Sequence, residues 1–297
     1  MASDKKGVGL SFLDSLADEP PPPSPPPPPC IEVLSSQVSS SVKCTLEPVN
    51  ISDELTLLKG RVSTKEVFGL PNSDLVPGVY EGGLKLWEGS LDLVKALCSD
   101  AENGNISFTG KRVLELGCGH GIPGIFTCHE GAAVIHFQDF NAEVLRFLTI
   151  PNVNANLSKK LQPAAANEAN HDTGVEVRFF AGDWSQIHEL LPCVNDNEKD
   201  LNSSGQSPTS GYDIILMAET IYSISAHQNL YGLIKKCVSR PHGVVYMAAK
   251  KHYFGVGGGT RQFMSMVEKD GFMAACLVAE VADGSSNVRE VWKLSIK

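Results

Sequence analysis

The chain has 297 residues, a formal net charge of −9 and 42% hydrophobic residues, which is enough apolar material for a packed core. Its acidic balance and its lack of a Lys/Arg cluster argue against direct binding to a nucleic-acid backbone. The cysteines are scattered and form no C-x-x-C pair, which indicates free thiols in a reducing compartment. Without a secretory leader or a run of about 18 apolar residues, we expect no membrane contact and a soluble, monomeric, intracellular protein.

The first part of the chain has low complexity. We predict that residues 1–45 form a disordered arm rich in Pro and Ser. Its proline runs, residues 20–23 and 25–29, favour a stiff polyproline II segment. That segment either docks to a partner with an aromatic groove or acts as a spacer.

Apolar, β-branched runs alternate with helix-length segments from residue 113 onward. The predicted strands are residues 113–116, 134–137, 175–180, 214–217 and 244–249. The segments between them include predicted helices at residues 142–156, with Asn141 as the N-cap, and 226–238. Two polar inserts, residues 158–174 and 195–211, read as surface loops. This alternation predicts a parallel sheet with helices on both faces.

The end of the chain follows a different pattern. Residues 272–281 and 288–296 predict two antiparallel strands joined around Asp283-Gly284, a dipeptide typical of hairpin turns. The fold class is therefore α/β: a Rossmann-like, mostly parallel sheet of seven strands that ends in an antiparallel hairpin.

The sharpest local signal is Arg-Val-Leu-Glu-Leu-Gly-Cys-Gly-His-Gly-Ile-Pro-Gly at residues 112–124. It predicts a strand, a glycine turn and then a helix. Glycine accepts positive φ and has no Cβ, so such a turn brings the backbone, and the free N–H groups of the helix start, close to a ligand.

Two classes of cofactor fit this turn. Gly119-x-Gly121-x-x-Gly124 satisfies the dinucleotide motif, and Asp139 follows Gly121 at nearly the spacing of a ribose-binding carboxylate. A nicotinamide enzyme is therefore one reading. Glu115 just before the first glycine favours a positively charged sulfonium cofactor instead, because a carboxylate would repel a pyrophosphate.

Further candidate ligands follow the next strands. Asp139 ends a predicted strand, where a carboxylate lies over the ligand crevice of an α/β sheet and can accept two ribose hydroxyls. Gly182-Asp183-Trp184 follows the third strand. Asp183 is a candidate acceptor for an adenine amino group, and Trp184 is a candidate to stack beside the ring.

The residues 115–121 with Asp139 resemble the seven-β-strand class of S-adenosylmethionine-dependent methyltransferases. Four further stretches, residues 74–88, 136–141, 219–222 and 251–259, are similar to the protein-histidine N-methyltransferase family that modifies a ribosomal large-subunit protein. The resemblance covers about residues 70–297. It implies that residues 46–110 include a lid over the cofactor and that residues 111–297 form the methyltransferase domain, with S-adenosylmethionine as cofactor and S-adenosylhomocysteine as product.

The resemblance also implies roles for individual positions. The cofactor-binding candidates that it and the motifs supply are Leu86, Trp87, Glu88, Gly89, Ser90, Glu115, Gly117, Gly119, Gly121, Gln138, Asp139, Asn141, Gly182, Asp183, Trp184 and Ala218. Gln138 and Asp139 would hold the ribose, and Ala218 would lie beneath the transferable methyl group.

Three residues are candidates to bind and orient the acceptor side chain. A neutral histidine ring needs a chosen ring nitrogen more than it needs a strong base. Glu219 is the first candidate to accept the pros N–H, so that the tele nitrogen is methylated, and Tyr222 would bond to or stack on the same ring. Residues 251–253 lead into the glycine-rich stretch 255–259, which suits a lid or a substrate wall, and His252 would shape the acceptor pocket.

Several alternatives remain open at this stage. A protein-lysine methyltransferase of the same fold is the main one, followed by a binding module without catalysis and by the nicotinamide oxidoreductase. Cys118, His120, Cys128 and His129 match no zinc spacing, so no metal is expected. A ribosomal acceptor predicts location in the cytoplasm and nucleus, including the nucleolus.

Overall fold

The computed structural model describes residues 26–38, 42–70, 73–158, 174–192, 211–282, 284 and 287–297. Several predictions fall wholly or largely outside this part of the chain. They concern the proline run at 20–23, the two polar inserts, and Asp283 in the hairpin turn.

A mixed sheet of eight strands forms the centre of the fold. Its strands are β1 (Ile31–Val33), β4 (Arg112–Leu116), β5 (Val134–Asp139), β6 (Glu176–Ala181), β7 (Ile214–Ala218), β8 (Val244–Lys250), β9 (Met273–Val281) and β10 (Arg289–Ile296). They lie in the order β1-β6-β5-β4-β7-β8-β10-β9. Neighbours among β4 to β8 are parallel, whereas β10 pairs antiparallel with both β8 and β9. The predicted parallel sheet and terminal hairpin are confirmed.

The sheet has one strand more than the seven predicted. Strand β1 lies inside the arm predicted to be disordered, and it pairs antiparallel with residues 179–181 at the edge of β6. Arg178 Nε and Nη2 each donate to the Glu32 carboxylate at 2.7 Å, a bidentate pair that fixes the strand. A strand of three residues after a proline run carries no alternating pattern, so the sequence gives no signal for it.

Helices cover both faces of the sheet, as predicted. In chain order they are α1 (Thr64–Phe68), α2 (Glu88–Glu102), α3 (Ile122–His129), α4 (Ala142–Val144), α5 (Ile150–Leu157), α6 (His227–Cys237) and α7 (Thr260–Asp270), with short 3-10 turns at Ser35–Gln37, Ile187–Glu189 and Ile224–Ala226. One apolar core holds Leu97 of α2 and Ile125 of α3, and a second holds Leu230 of α6 and Phe263 of α7. None of the helices in the described part of the chain is long and apolar enough to cross a bilayer.

A π turn, Leu145–Thr149, joins α4 to α5 in one continuous helical segment. The Thr149 hydroxyl donates to the Gly119 carbonyl at 2.6 Å. Asn152 Nδ2 donates to the His120 carbonyl at 2.9 Å, and its Oδ1 accepts from the Gly60 N–H at 2.5 Å. The helix is thereby fastened to the glycine turn on one side and to residues near the N-terminus on the other.

A separate hairpin covers α5. It consists of β2 (Thr45–Asn50) and β3 (Thr56–Arg61). Asn156 of α5 bonds both backbone groups of Leu58, accepting from its N–H at 2.8 Å and donating to its carbonyl at 2.7 Å. Such a pair of side-chain bonds satisfies a strand edge that would otherwise lack partners.

Candidate functional site

The glycine turn after β4 has the conformation that its sequence predicts. Gly117, Gly119 and Gly121 have φ values of 60°, 49° and 70°. A Cβ on Gly117 would stand 2.7 Å from Thr220 Cγ2, and one on Gly119 would stand 3.0 Å from the Gly83 carbonyl oxygen. Gly121 is the N-cap of α3. The turn is therefore restricted to glycine both by backbone conformation and by space.

Glu115 does not face the ligand space. Its side chain is buried, and Oε2 accepts a hydrogen bond from the Gly124 N–H at 2.8 Å in the first turn of α3. Burial raises the pKa of this carboxyl to about 8. Glu115 therefore supports the glycine turn from behind, and the structure does not place it beside a sulfonium.

Asp139 is held at the end of β5 with both oxygens bonded to backbone. Oδ2 accepts from the Gly119 N–H at 2.9 Å, and Oδ1 accepts from the Asn141 N–H at 3.0 Å. Burial raises the pKa of Asp139 to about 6, and the two N–H groups oppose that rise. The carboxylate is therefore oriented, and it lines a cavity beside the glycine turn.

Asn141 occupies the predicted N-cap position of α4 but its side chain does not cap the helix. Its Oδ1 accepts from the Glu81 N–H at 3.1 Å, and its Nδ2 donates to the Val79 carbonyl at 2.8 Å. The amide thus holds the segment of residues 79–81, because both of its polar atoms find backbone partners there.

Gln138 was expected to contact the ribose, but in the structure its side chain bonds to residues of the cavity wall. Its side chain is fully buried, with Nε2 donating to the Gly182 carbonyl at 2.8 Å. Its Oε1 accepts from Trp184 Nε1 at 2.9 Å and from the Gly117 N–H at 3.3 Å. One amide thereby ties together three positions that line the cavity.

The segment of residues 182–184 borders the cavity together with the N-terminal arm. Asp183 lines the cavity, and its Oδ1 accepts from the Ser185 N–H at 2.8 Å. A Cβ on Gly182 would stand 2.4 Å from Cys30 Sγ, so the arm packs directly on this glycine. Pro27, three residues before Cys30, is part of the cavity lining.

The start of α2 closes the opposite side. Trp87 is the N-cap of α2, and its Nε1 donates to the Gly82 carbonyl at 3.1 Å. The ammonium groups of Lys85 and Lys250 lie 4.4 and 5.4 Å from the centre of the Trp87 ring, within cation–π range. The Trp87 ring is thereby fixed at the wall of the site.

These elements enclose a cavity of about 500 Å³, which is within the size range of small-molecule sites. Eleven of the predicted residues line it: Trp87, Ser90, Gly117, Gly119, Asp139, Gly182, Asp183, Trp184, Ala218, Glu219 and Tyr222. The others stand behind the wall or beside it: Leu86, Glu88, Gly89, Glu115, Gly121, Gln138, Asn141 and His252. This first cavity is called the cofactor cavity below.

A second cavity of about 270 Å³ adjoins the first. The two share part of their lining, including Glu81, Trp87, Glu219 and Tyr222. A group bound in the second cavity would therefore be in contact with a group bound in the first. We call the second one the acceptor cavity.

Glu219 stands at this junction in an unusual backbone conformation. Its φ of 58° makes it the single non-glycine residue with positive φ in the described part of the chain. Such strain costs of order 1–3 kcal/mol and is concentrated at functional sites. Oε2 accepts from the Tyr253 hydroxyl, while Oε1 is buried against the backbone of Gly89 without a hydrogen bond of normal geometry. Burial raises the pKa of Glu219, and the Tyr253 hydroxyl and the charge of Lys250 oppose that rise.

Tyr222 makes a second pair of the same kind, because its hydroxyl donates to Glu81 Oε2. The rings of Tyr222 and Tyr253 meet edge to face with centroids 6.4 Å apart. Burial and the neighbouring carboxylate raise the pKa of each tyrosine well above its usual range. Both hydroxyls are therefore neutral at physiological pH.

His252 does not line the acceptor cavity; Tyr253, the next residue, does. Glu81 and Lys250 also line this cavity, and neither was among the residues predicted for the site. Glu81 and Tyr253 lie inside two of the four stretches that carry the family resemblance, so the signal was present, but nothing in it says which side chain turns inward. No group of three or more His, Cys, Asp or Glu side chains within the described ranges could hold a metal ion.

Topology and site together define a class. A parallel sheet closed by an antiparallel hairpin, with a glycine turn and a carboxylate at the ends of adjacent strands, is the arrangement of the seven-β-strand S-adenosylmethionine-dependent methyltransferases. Over most of its length the chain is similar to proteins named histidine protein methyltransferase 1 homolog. It is 38% identical to the protein from Dictyostelium discoideum over 228 residues, which is 77% of this chain and 62% of that one. It is 37% identical to the protein from Bos taurus over 255 residues, 80% of this chain and 63% of that one.

The chain is therefore similar to the histidine protein methyltransferases over about three quarters of its length. It spans less than two thirds of the length of the curated relatives it matches. No protein-family model matches it. This similarity favours the sulfonium cofactor over the nicotinamide cofactor that the glycine motif alone also allowed.

Proposed function

We propose that this protein transfers a methyl group from S-adenosylmethionine to the tele nitrogen of a histidine in another protein, a component of the large ribosomal subunit. Similarity to proteins named histidine protein methyltransferase 1 homolog supports the reaction. The observation that carries it is the shared wall between the cofactor and acceptor cavities, formed by Glu81, Trp87, Glu219 and Tyr222. A side chain in the acceptor cavity meets the cofactor cavity at that wall.

The cofactor cavity fits S-adenosylmethionine. Gly117, Gly119 and Gly182 line the cavity with backbone alone, and the Asp139 carboxylate is oriented at the end of β5 to accept hydroxyl groups. When bound there, S-adenosylmethionine supplies a methyl group on a positively charged sulfur. The protein's own task is to align the acceptor with that methyl group and to exclude water, and such alignment contributes about 7–11 kcal/mol in favourable cases.

The acceptor cavity suits a neutral imidazole. Tyr222 and Tyr253 donate their hydroxyl hydrogens to Glu81 and Glu219, so each oxygen has only lone pairs left to offer. An imidazole N–H can donate to such an oxygen. Bonding at the pros N–H leaves the lone pair of the tele nitrogen free to react, and a ring with a pKa near 6.5 needs no strong base at neutral pH. Glu219 thus acts through Tyr253 in this proposal.

The acidic net charge of the chain supports a ribosomal partner. The formal net charge is −9. A protein that binds RNA phosphates must carry basic residues, and opposite net charges accelerate encounter. A ribosomal acceptor also places the enzyme in the cytoplasm and the nucleus, and we propose that it works there as a monomer without touching RNA.

The direct test is to incubate the protein with labelled S-adenosylmethionine and large-subunit ribosomal proteins, then to identify the modified residue and its isomer. Tele-methylhistidine is the expected product. Label on lysine alone would replace the proposal with the lysine reaction, which the carboxylates of Glu81 and Glu219 would suit through attraction for an ammonium group. Pros-methylhistidine would contradict the orientation argued here, and the absence of label from every large-subunit protein would contradict the partner.

A hydroxyl deletion tests the orientation itself. Tyr253→Phe removes one neutral hydrogen bond to the ring and the donor to Glu219, so kcat is expected to fall about tenfold. Tyr231→Phe is the matched control. Tyr231 lies on α6, lines neither cavity, and donates its hydroxyl hydrogen to Asp270 at 3.1 Å. Equal kcat values for the two variants would show that Tyr253 does not orient the acceptor.

A further inference from the structure

Three exposed apolar side chains lie together at the mouth of the acceptor cavity. Phe254 is 75% exposed, Ile224 53% and Val256 44%. Phe254 and Val256 both line the acceptor cavity. Ile224 lines neither cavity, but its Cδ1 lies 3.5 Å from the position that a Cβ on Gly257 would take, next to Val256. Clustered apolar exposure of this kind marks a binding surface more often than isolated exposed residues do.

The loop that carries this surface is fixed by backbone hydrogen bonds. Tyr253 N–H donates to the Gly258 carbonyl at 2.9 Å, and Gly257 N–H donates to the Tyr253 carbonyl at 2.9 Å. Gly258 and Gly259 donate to the carbonyls of Tyr222 and Ile221 at 3.0 and 3.1 Å. A Cβ on Gly258 would stand 2.3 Å from the Ile221 carbonyl oxygen, so only glycine permits this contact. The backbone of the loop is thus a wall that is formed before any partner binds.

We propose that Ile224, Phe254 and Val256 form a docking surface for a large apolar side chain of the protein substrate, close in sequence to its acceptor histidine. This rests on the proposed function. The occupant follows from continuity: a chain that inserts a side chain into the acceptor cavity must pass Phe254 and Val256 at its mouth. Alternate residues of an extended segment point the same way about 7 Å apart, so an apolar residue two positions from the histidine can reach the surface.

The surface also has the properties of an affinity determinant. Aromatic side chains at the centre of an interface contribute more to binding than most of their neighbours. A preformed wall loses little conformational entropy when the partner docks. The surface should therefore set the KM for the protein substrate and leave the affinity for the cofactor unchanged.

The experiment compares Ile224→Ser and Phe254→Ala with wild type, using large-subunit ribosomal proteins as the acceptor. For each we expect KM to rise about tenfold. The affinity for S-adenosylhomocysteine, measured by calorimetry, should not change in either variant, and kcat should not change in Ile224→Ser, because Ile224 lines neither cavity. Leu277→Ala is the matched control, since Leu277 is 44% exposed on β9, and its KM should equal that of wild type.

The outcomes separate this proposal from the one on which it rests. If wild type modifies no histidine, the proposed function fails. If wild type is active and both variants keep its KM, the docking surface fails alone. A fall in S-adenosylhomocysteine affinity in both variants would show that the residues serve the cofactor instead. A wild-type dimer in sedimentation that Ile224→Ser dissociates would assign the surface to a second copy of the chain and overturn the proposal.

Discussion

Replacing Gln138 with methionine separates two functions for this buried amide. Methionine keeps the length and unbranched shape of glutamine but removes its polar atoms. If Gln138 contacts the ribose, as the sequence suggests, the variant should lose affinity for the cofactor and keep its stability. If Gln138 ties the walls of the cavity together, as the structure shows, the protein without cofactor should lose stability as well.

The magnitude follows from three hydrogen bonds. Those to the Gly182 carbonyl and from Trp184 Nε1 have normal lengths of 2.8 and 2.9 Å, and the one from the Gly117 N–H is longer at 3.3 Å. At about 1 kcal/mol for each normal bond, with an added penalty for partners left unsatisfied, we expect a loss of about 2–4 kcal/mol. Affinity for S-adenosylhomocysteine should fall too, because Gly117, Gly182 and Trp184 all line the cofactor cavity.

Urea unfolding without cofactor measures the first quantity, and calorimetry with S-adenosylhomocysteine measures the second. Gln186→Met is the control, because Gln186 is exposed and the same substitution there should change stability by less than about 0.5 kcal/mol. If Gln138→Met unfolds at the same urea concentration as wild type but binds the cofactor more weakly, Gln138 does not hold the cavity wall together. That result would favour a contact with the ribose.

Three further predictions concern the same site. Burial raises the pKa of Asp139 to about 6, so the carboxylate gains a proton as the pH falls from 7 to 5, and the affinity for S-adenosylhomocysteine should decline over that range. The Asp139→Asn variant should bind weakly at every pH. Calorimetry at three pH values measures both affinities. Burial raises the pKa of Glu115 to about 8, above its unfolded value, so the native state binds one proton more than the unfolded state between those values and wild-type stability should fall with rising pH. Glu115→Gln should remove this contribution of about 1.4 kcal/mol per pH unit to the free energy of unfolding. An equal pH dependence of that free energy in both proteins, measured by urea unfolding between pH 5.5 and 7, would argue against it. Deleting residues 1–33 removes β1 and Cys30, which packs on Gly182, and should weaken S-adenosylhomocysteine binding about five- to tenfold. Deleting residues 1–25 should leave the affinity unchanged, and equal affinities of the two deletion variants would exclude a role for the segment of residues 26–33.

The predictable part of this protein lies in patterns that are local along the chain. The strand, glycine turn and helix at residues 112–124 could be predicted because glycine spacing reports backbone conformation directly. Asp139 could be placed at the crevice because parallel strands end at one edge of a sheet. The terminal hairpin was clear from two apolar runs around a turn dipeptide.

What escaped prediction depends on partners distant in sequence. Gln138 bonds to Trp184 across 46 positions, and β1 pairs with residues 179–181. Tyr253 rather than His252 reaches Glu219, because the side chains of neighbouring residues in the loop point in different directions. A single sequence reports which residue types are available, but only packing selects which of two adjacent side chains faces the site.

The π turn at Leu145–Thr149 gives the helix after β5 two rotational phases. A π turn holds one residue more than an α turn, and one residue corresponds to about 100° of rotation. Thr149 and Asn152 can therefore bond to the glycine turn and the β2–β3 hairpin. Asn141, which precedes the π turn, bonds to the segment of residues 79–81 instead. Removing a single residue here would restore a regular α-helix and swing Asn152 about a quarter turn away from Gly60. The length of this helix, more than the identity of its side chains, is thus what keeps the N-terminal hairpin in register with the cofactor turn.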